Sequence, residues 1–131
     1  MASNTLAIML ALSIVAPNGR NIAIGRKTIE VRSWRPERLP LRDLLIVENH
    51  IFLNPDSPID PHGTAVVLVD ITEVHEWSEH EVQAACSTGW QPGYWAWSLS
   101  NVRPVSEPFP VAAERKLYEV AASLAQVQNA A

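Results

Sequence analysis

A chain of 131 residues has the length of one typical domain, and 47% hydrophobic with 18% charged residues is the composition of a globular protein rather than a disordered one. Its net charge of -4 argues against non-specific binding of long duplexes, because proteins that do so are usually basic overall. The single cysteine, Cys86, can form neither an internal disulfide nor a thiolate cluster. We therefore expect one domain over residues 1–131, no metal or other cofactor, and a reducing, cytoplasmic location.

The first part of the chain is predicted to form two strands around one short helix. Residues 6–16 are too few for a membrane-spanning helix and follow no basic residue, so they are predicted as a strand rather than as a membrane span or a secretory signal. A short helix is predicted over Asn18–Ile24, between Pro17 and Gly25. Lys27–Trp34 then alternates with period two, which predicts a strand with one polar face.

Prolines and turn residues divide the middle of the chain. Leu44–Glu48 is predicted as a short strand that enters a proline-rich loop over residues 50–62, a length typical of functional or mobile loops. Thr64–Ile71 is almost continuously apolar and β-branched, the pattern of a strand buried on both faces. Tyr94–Ser100 is an aromatic strand whose tryptophans on one face are more typical of a core than of a base-stacking platform. The prolines at positions 104, 108 and 110 are predicted to break the chain after it.

Two helices are predicted in the second half. Ser78 and Glu81 have the spacing of a capping box, and the helix that they begin would place on one buried face the residues Val82, Ala85 and Cys86. Residues 112–128 are helix-prone, so the domain divides into a core over about 8–120 and a C-terminal helical tail over 121–131.

Charge is segregated along the chain. Residues 20–42 carry seven cationic and two acidic side chains, a net charge of +5, whereas residues 43–102 carry nine acidic side chains and neither Lys nor Arg. This pattern predicts a local anion-binding site. The alternative is an internal dipole in which basic and acidic strands lie side by side.

The densest group of charged and aromatic side chains lies in residues 25–35. A glycine at its start lets the backbone approach a ligand, and Lys27, Glu30 and Arg32 provide donors and an acceptor for phosphates and base edges. A stacking ring and a planar cation, a pairing found at single-stranded nucleic-acid sites, follow at Trp34 and Arg35. The alternative is that Glu30 and Arg32 simply pair with each other on a solvated strand face.

This segment resembles the signature of ASCH (activating signal cointegrator homology) domains, Gly-x-Lys-x-x-Glu-x-Arg followed by Ser-Trp. The matching positions are Gly25, Lys27, Glu30 and Arg32, and the likeness extends over the segments 12–14, 63–71, 97–103 and 116–120. The resemblance implies an α+β fold, a small and partly closed PUA-like β-barrel flanked by short helices. It also implies that the Lys, Glu and Arg line a cleft that binds RNA or another nucleic acid.

Some proteins of the family that this chain resembles are hydrolases. Small bacterial members hydrolyse acetylated cytidine by means of the motif lysine, a threonine three residues later and a distant glutamate, and others are described as ribonucleases. In this chain Glu30 occupies the position of the threonine, and Glu79 or Glu81 would have to supply the distant carboxylate. Because an adjacent carboxylate favours the charged ammonium, Lys27 is expected to be a cationic contact, and Lys27 and Glu30 are catalytic candidates only if the chain is an enzyme.

We therefore expect an ASCH-type nucleic-acid-binding module that takes RNA, a nucleotide or a nucleoside. The alternatives are a small hydrolase acting in the same cleft and a charged strand that contacts a protein partner. No membrane association is expected, and the sequence predicts no oligomeric state. Two further candidates are Asn49, where a strand enters the loop, and Arg103, at a strand end. The predicted binding residues are therefore Gly25, Lys27, Glu30, Arg32, Trp34, Arg35, Asn49 and Arg103.

Overall fold

The fold is seen in a computed structural model that describes residues 5–127. Strands dominate this part of the chain, which also contains two short α-helices and one 3-10 helix. In chain order the elements are β1 (Leu6–Val15), α1 (Asn18–Ala23), β2 (Ile29–Arg32), β3 (Leu41–Asn49), β4 (Ile59–Asp60), β5 (Thr64–Glu76), the 3-10 helix (Glu79–Glu81), β6 (Trp95–Pro110), β7 (Ala113–Glu114), β8 (Leu117–Ser123) and α2 (Leu124–Val127).

Six of the strands form one mixed sheet in the order β2-β6-β5-β3-β1-β8, which makes a half-barrel. Strands β1 and β3 run parallel, and the other neighbouring pairs in this sheet are antiparallel. Strands β4 and β7 pair in a separate two-stranded sheet. The predicted small, partly closed barrel with short flanking helices is therefore confirmed, with strand as its main component.

The hydrophobic core lies on both faces of the large sheet. Strands β3 and β5 are buried along most of their length, as the continuous apolar run in residues 64–71 predicts. One cluster packs around Leu45 and Phe109, and a second packs around Ile46 and Ile22, the latter in α1. A third, smaller cluster contains Trp77. The side chain of Trp97 is fully buried, which confirms the core role predicted for the aromatic strand.

Helix α1 is held close to the sheet by a glycine and a carboxylate. A Cβ at Gly19 would lie 2.5 Å from Cγ of Glu48, so a larger residue at this position would displace the helix. The carboxylate of Glu48 accepts the backbone N–H of Arg20 at 2.9 Å and so satisfies one of the open donors in the first turn. Within residues 5–127, no helix is long and apolar enough to cross a membrane.

Strand β6 is longer than the sequence predicts. Its prolines were expected to end the strand near Ser100, yet β6 continues to Pro110. Strand β2 pairs with β6 only between Trp95 and Ser98, so beyond this point the pairing partner of β6 in the sheet is β5 alone. Prolines are tolerated on such an edge because their missing N–H faces no second strand.

The predicted helical tail is wrong for residues 117–123, which form β8. This strand pairs antiparallel with residues 6–12 of β1 and buries Tyr118 and Ala122 in the core. Pairing and packing against β1 outweigh the local helix propensity, as tertiary contacts commonly do. Helix is found only in α2 within this part of the tail, and residues 128–131 lie outside the described part of the chain.

The capping box of Ser78 and Glu81 forms, but the helix that follows it is shorter than predicted. The 3-10 helix ends at Glu81 and passes into a turn, where Ala85 is buried and Cys86 is only half-buried. Cys86 has a left-handed backbone conformation, with φ at 54°. A residue of this conformation ends helical hydrogen bonding, so the prediction of Cys86 on a buried helical face is wrong.

The loop over residues 50–62 is anchored by Asp60. The buried carboxylate of Asp60 accepts backbone N–H groups from His50 at 2.6 Å, His62 at 2.8 Å and Ile51 at 3.4 Å. The hydrogen bond from His50 is the largest cause that holds the pKa of Asp60 below its usual value. One ionised side chain thus fixes both ends of this proline-rich segment.

Candidate functional site

Strand β2 places Glu30 and Arg32 on the same face, as the period-two alternation predicts. The two side chains form an ion pair, with Nε of Arg32 2.7 Å from Oε2 of Glu30. Gly25 precedes the strand with φ at 82°, a conformation that glycine adopts without strain. This turn directs the chain from α1 into β2 and brings the next motif residue, Lys27, beneath the ion pair.

Lys27 is buried behind Glu30. Its Nζ lies 3.1 Å from Oε1 of Glu30 and donates a 2.6 Å hydrogen bond to the backbone oxygen of Ala85. Only 5% of the Lys27 side chain and 8% of the Glu30 side chain are exposed. With one cation at each of its oxygens, the carboxylate of Glu30 is held in a single orientation.

Arg32 carries this network to the protein surface. While its Nε contacts Glu30, its Nη2 donates a 2.6 Å hydrogen bond to the backbone oxygen of Ser13 on β1. Two of the five guanidinium donors are used in this way, which fixes the plane of the group. The side chain is 21% exposed, so its outer edge can meet a phosphate or the edge of a base.

A cleft of about 800 Å³ opens over Glu30 and Arg32. The end of β1, strand β2, the loop over residues 50–62 and the turn between β7 and β8 form its walls. The predicted binding residues that line it are Glu30, Arg32, Trp34 and Asn49. Asn49 is buried, and its amide donates to the backbone oxygen of Ile51, so it supports the loop as well as lining the cleft.

Trp34 forms an aromatic wall of the cleft. Its ring meets that of Trp97 edge to face, with centroids 5.0 Å apart, and the indole N–H of Trp97 donates to the backbone oxygen of Trp34 at 3.3 Å. The ammonium of Lys116 lies 5.9 Å from the centre of the Trp34 ring, within the range of a cation–π contact. A fixed ring with a cation beside it suits a nucleobase attached to a phosphate.

The aromatic and cationic residues that line the cleft without having been predicted as site residues are Phe52, Tyr94, Arg115 and Lys116. Phe52 is 75% exposed, which is unusual for so apolar a residue. Arg115 and Lys116 lie in the turn between β7 and β8 and reach the cleft because β8 pairs with β1. For Arg115 and Lys116, the only feature in the sequence that indicated a binding site is that two cations are adjacent. That feature does not reveal which strands pair and so bring them to the cleft.

The remaining predicted binding residues lie outside the lining of the cleft. Lys27 is buried beneath it, Gly25 is exposed in the preceding turn, and Arg35 stacks its guanidinium 4.6 Å from the ring centre of Trp95. Arg103 lies in a separate pocket with residues of the N-terminal half of β1.

Arg103 belongs to a cluster of ion pairs around Asp70. Its guanidinium lies 2.6 Å from the carboxylate of Asp43 and 2.8 Å from that of Asp70. Although burial opposes ionisation, hydrogen bonds from Asn101, the backbone of Asp43 and Arg42 hold the pKa of Asp70 below its usual value, with help from the charge of Arg103. This cluster joins β3, β5 and β6 and uses its charges internally.

The charges that face the cleft come from both ends of the chain. Within residues 5–127, the cations that line it are Arg32, Arg115 and Lys116, and the carboxylates are Glu30 and Glu114. Since Glu30 is already paired with two cations, the exposed part of the cleft favours an anion. The same range holds no group of three or more His, Cys, Asp or Glu side chains arranged to bind a metal.

Comparison with protein families identifies the class of protein to which this chain belongs. The family model of the ASCH domain matches residues 12–109, which include the whole Lys27–Glu30–Arg32 network. The chain therefore belongs to the ASCH domain family, which is PUA-like and associated with RNA binding.

Among solved structures, the chain is similar to ZmASCH of Zymomonas mobilis, in a variant with one tyrosine replaced by phenylalanine. The two chains are 14% identical, with 79% of this chain and 76% of that chain covered and a TM-score of 0.48. No curated protein matches the chain.

Proposed function

We propose that the cleft binds RNA, as a short single strand or a nucleotide. The observation that carries the proposal is the buried Lys27–Glu30–Arg32 network, which presents one fixed guanidinium edge at the base of a cleft with exposed aromatic rings. Guanidinium groups bind phosphates and base edges through paired hydrogen bonds, and aromatic rings stack on bases. The association of ASCH domains with RNA binding supports the same ligand class.

A short ligand suits the arrangement of charge. The cations that line the cleft are few, and the acidic segment over residues 43–102 contributes repulsion to a long phosphate backbone. Phe52 and Trp34 both supply ring surface to the cleft. We therefore propose recognition of unpaired nucleotides rather than of duplex, because bases in a duplex cannot stack on protein side chains.

The position of Lys27 bears on the alternative of a hydrolase. A lysine that acts as a nucleophile or base must reach the reacting atom, whereas the Lys27 ammonium is 3.1 Å from Glu30, bonded to Ala85 and outside the cleft lining. We therefore propose binding as the function of this site. Incubation with acetylated cytidine and with labelled RNA under multiple-turnover conditions tests the alternative, and catalytic release of product by the wild type would overturn a purely binding role.

Replacement of Arg32 tests the binding site. We expect Arg32→Ala to weaken binding of a short single-stranded RNA by more than about 1 kcal/mol, the lower range for a charge-assisted hydrogen bond, in a protein that still folds but at a lower urea midpoint, because Glu30 keeps Lys27 and loses its second cation. Affinity is measured by fluorescence anisotropy and folding by urea denaturation. Arg38→Ala is the matched control because it removes the same charge from an exposed position outside the cleft lining.

The control separates local contact from net charge. Equal loss of affinity in the two variants would mean that overall charge, not the cleft, drives binding. A large drop in the urea midpoint of Arg32→Ala with unchanged affinity would mean that Arg32 is a structural partner of Glu30 only.

A further inference from the structure

An aromatic groove lies directly beside the cleft. It has a volume of about 640 Å³, and its aromatic lining residues are Trp77, Trp90 and Tyr94. Val31 and Tyr94 line both the groove and the cleft, so the two spaces share a wall. Val31 packs with Trp77 on the face of β2 opposite Glu30 and Arg32, and β2 is the edge strand of the sheet, so a ligand in the cleft reaches the groove by passing around the edge of β2.

The rings of the groove are held in place by contacts with one another. The ring centre of Trp77 lies 6.4 Å from that of Trp90 and 6.4 Å from that of Tyr94, in tilted and edge-to-face arrangements. Trp77 is buried in a cluster with Ile29, and the indole N–H of Trp90 donates a 3.1 Å hydrogen bond to the backbone oxygen of Trp77. Trp90 remains 36% exposed, so a large ring of fixed orientation faces outward.

The chemistry of the groove differs from that of the cleft. Its lining contains no Lys, Arg, Asp or Glu side chain within the described residues, and its polar members are Ser87, Thr88 and Gln91. A neutral, planar group with hydrogen-bonding edges matches such a lining, since the rings stack on its face and hydroxyl and amide groups meet its edge. A nucleobase has these properties, whereas a phosphate does not.

We infer that the aromatic groove is a second subsite, which stacks the base of the nucleotide adjacent to the one held in the cleft. This inference rests on the proposed RNA-binding function of the cleft. The sugar–phosphate link between the two nucleotides lies over Val31 and Tyr94, the residues that both spaces share. The ligand class is then a single-stranded RNA of at least two nucleotides rather than a free nucleotide.

The experiment compares two ligands on the same variants. Affinities for uridine monophosphate and for a four-nucleotide single-stranded RNA are measured on wild type, Trp90→Ala, Trp90→Leu and Trp90→Phe at one salt concentration. We expect Trp90→Ala and Trp90→Leu to weaken binding of the tetranucleotide by roughly tenfold or more, in the range found when a stacking ring is removed, and to leave the mononucleotide affinity unchanged. Trp90→Phe keeps a ring and should retain most of the tetranucleotide affinity.

Each outcome decides between the two proposals. If wild type binds neither ligand, the proposed function of the cleft is wrong. If wild type binds both and Trp90→Leu changes neither, or weakens both equally, the groove is not a subsite for an adjacent base, although the cleft still binds RNA. Because Trp90→Leu preserves apolar volume, its affinities decide the matter if Trp90→Ala lowers the melting temperature.

Discussion

At the scale of single residues, the pairing of Lys27 with Glu30 gives the lysine of the ASCH motif a structural position in this chain rather than a place in the lining of the cleft. Both side chains are almost fully buried, and the ammonium also bonds to Ala85 in the turn after the 3-10 helix. Burial of two charges is costly unless they are paired and hydrogen-bonded, and here they are both. Lys27 therefore fixes the carboxylate that orients Arg32, and in the proposed site it contributes to binding through that contact rather than by touching the ligand.

Removal of Lys27 alone should destabilise the fold. We expect Lys27→Met to lower the free energy of unfolding by about 2–4 kcal/mol, because it leaves Glu30 with one cation and the oxygen of Ala85 without its donor. The double variant Lys27→Met/Glu30→Gln should recover part of this loss, since no half-paired buried carboxylate remains. Urea denaturation of the two single variants and the double variant measures the coupling.

Arg26→Met is the control for that cycle, because Arg26 is adjacent in the chain and exposed. Its free energy of unfolding should stay within about 0.5 kcal/mol of wild type, as is usual for surface substitutions. Additive effects of the two core substitutions would contradict the direct pairing of Lys27 with Glu30.

Residues close in sequence could be assigned to the site, and distant ones could not. Alternation along Lys27–Trp34 was sufficient to place Glu30 and Arg32 on one face, because strand periodicity is a local property. Arg103 was expected at the site as a cation at a strand end, but its position depends on the pairing of β5 with β6, which places it beside Asp70. Tyr94, Phe52 and Lys116 reach the cleft through the topology of the sheet, which the sequence around each residue does not predict.

At the scale of elements, His75 fastens the end of β5 to the 3-10 helix. Its Nε2 lies 2.8 Å from Glu81, and its Nδ1 lies 2.8 Å from the carboxylate of Glu73. The hydrogen bond with Glu81 is the largest cause that raises the pKa of His75. Although burial opposes ionisation of Glu81, the bonds from His75 and Ser78 lower its pKa. Trp77, the base of the aromatic groove, lies between these elements.

The raised pKa of His75 predicts that the stability contributed by this residue decreases as pH rises above 6.5. Its contribution is fully present below the unfolded pKa of 6.5 and is lost as pH rises through the higher folded pKa. We expect the difference in free energy of unfolding between wild type and His75→Gln to be larger at pH 6 than at pH 9. The change should be below about 1 kcal/mol, because the side chain is 36% exposed and solvent screens the pair.

Urea denaturation of both proteins at a series of pH values measures this difference. Glu81 behaves in the opposite sense, since its stabilisation is present above its unfolded pKa of 4.5 and is lost as pH falls through the lowered value. Identical pH profiles for wild type and His75→Gln between pH 6 and pH 9 would contradict the ion pairs of His75.

Hydrophobic periodicity predicted the strands whose own sequence shows which faces are buried. It failed for segments that become strands only because they pair with another strand. Thr64–Ile71 was assigned correctly because both of its faces are apolar, a pattern that needs no knowledge of neighbours. The second half of β6 and the whole of β8 were missed, since prolines and helix-prone residues obscure them locally. Both become strands because β5 and β1 provide backbone partners.

At the scale of the whole molecule, much of the acidic segment is used inside the fold. Glu48, Asp60 and Asp70 are buried and accept hydrogen bonds from backbone or cationic groups. The ion pairs around Asp70 fit the internal dipole suggested by the charge pattern, and the proposed anion site around Arg32 lies apart from them. A ligand at the cleft meets a small number of exposed cations.

This charge distribution predicts a shallow dependence of RNA affinity on salt. Two to four phosphate contacts correspond to a slope of log affinity against log salt between about -1.4 and -2.8, at roughly 0.7 per phosphate for a single strand. Affinities for a short single-stranded RNA and a long duplex across a salt series measure the slope. Tighter binding of the duplex, with a slope several-fold steeper, would contradict a cleft that takes a short ligand.

The pairing of β1 with β8 has a consequence for the synthesis of the protein. Leu6 is opposite Ser123 in this ladder, and the N–H of Leu124 donates to the oxygen of Thr5 at 3.0 Å, so strands far apart in the chain are neighbours in the sheet. During synthesis, the edge of β1 that pairs with β8 stays unpaired until residues 117–123 have left the ribosome. Contacts of such large sequence separation make folding slow, and the cleft, whose Arg115 and Lys116 precede β8 directly, is completed only at that last step.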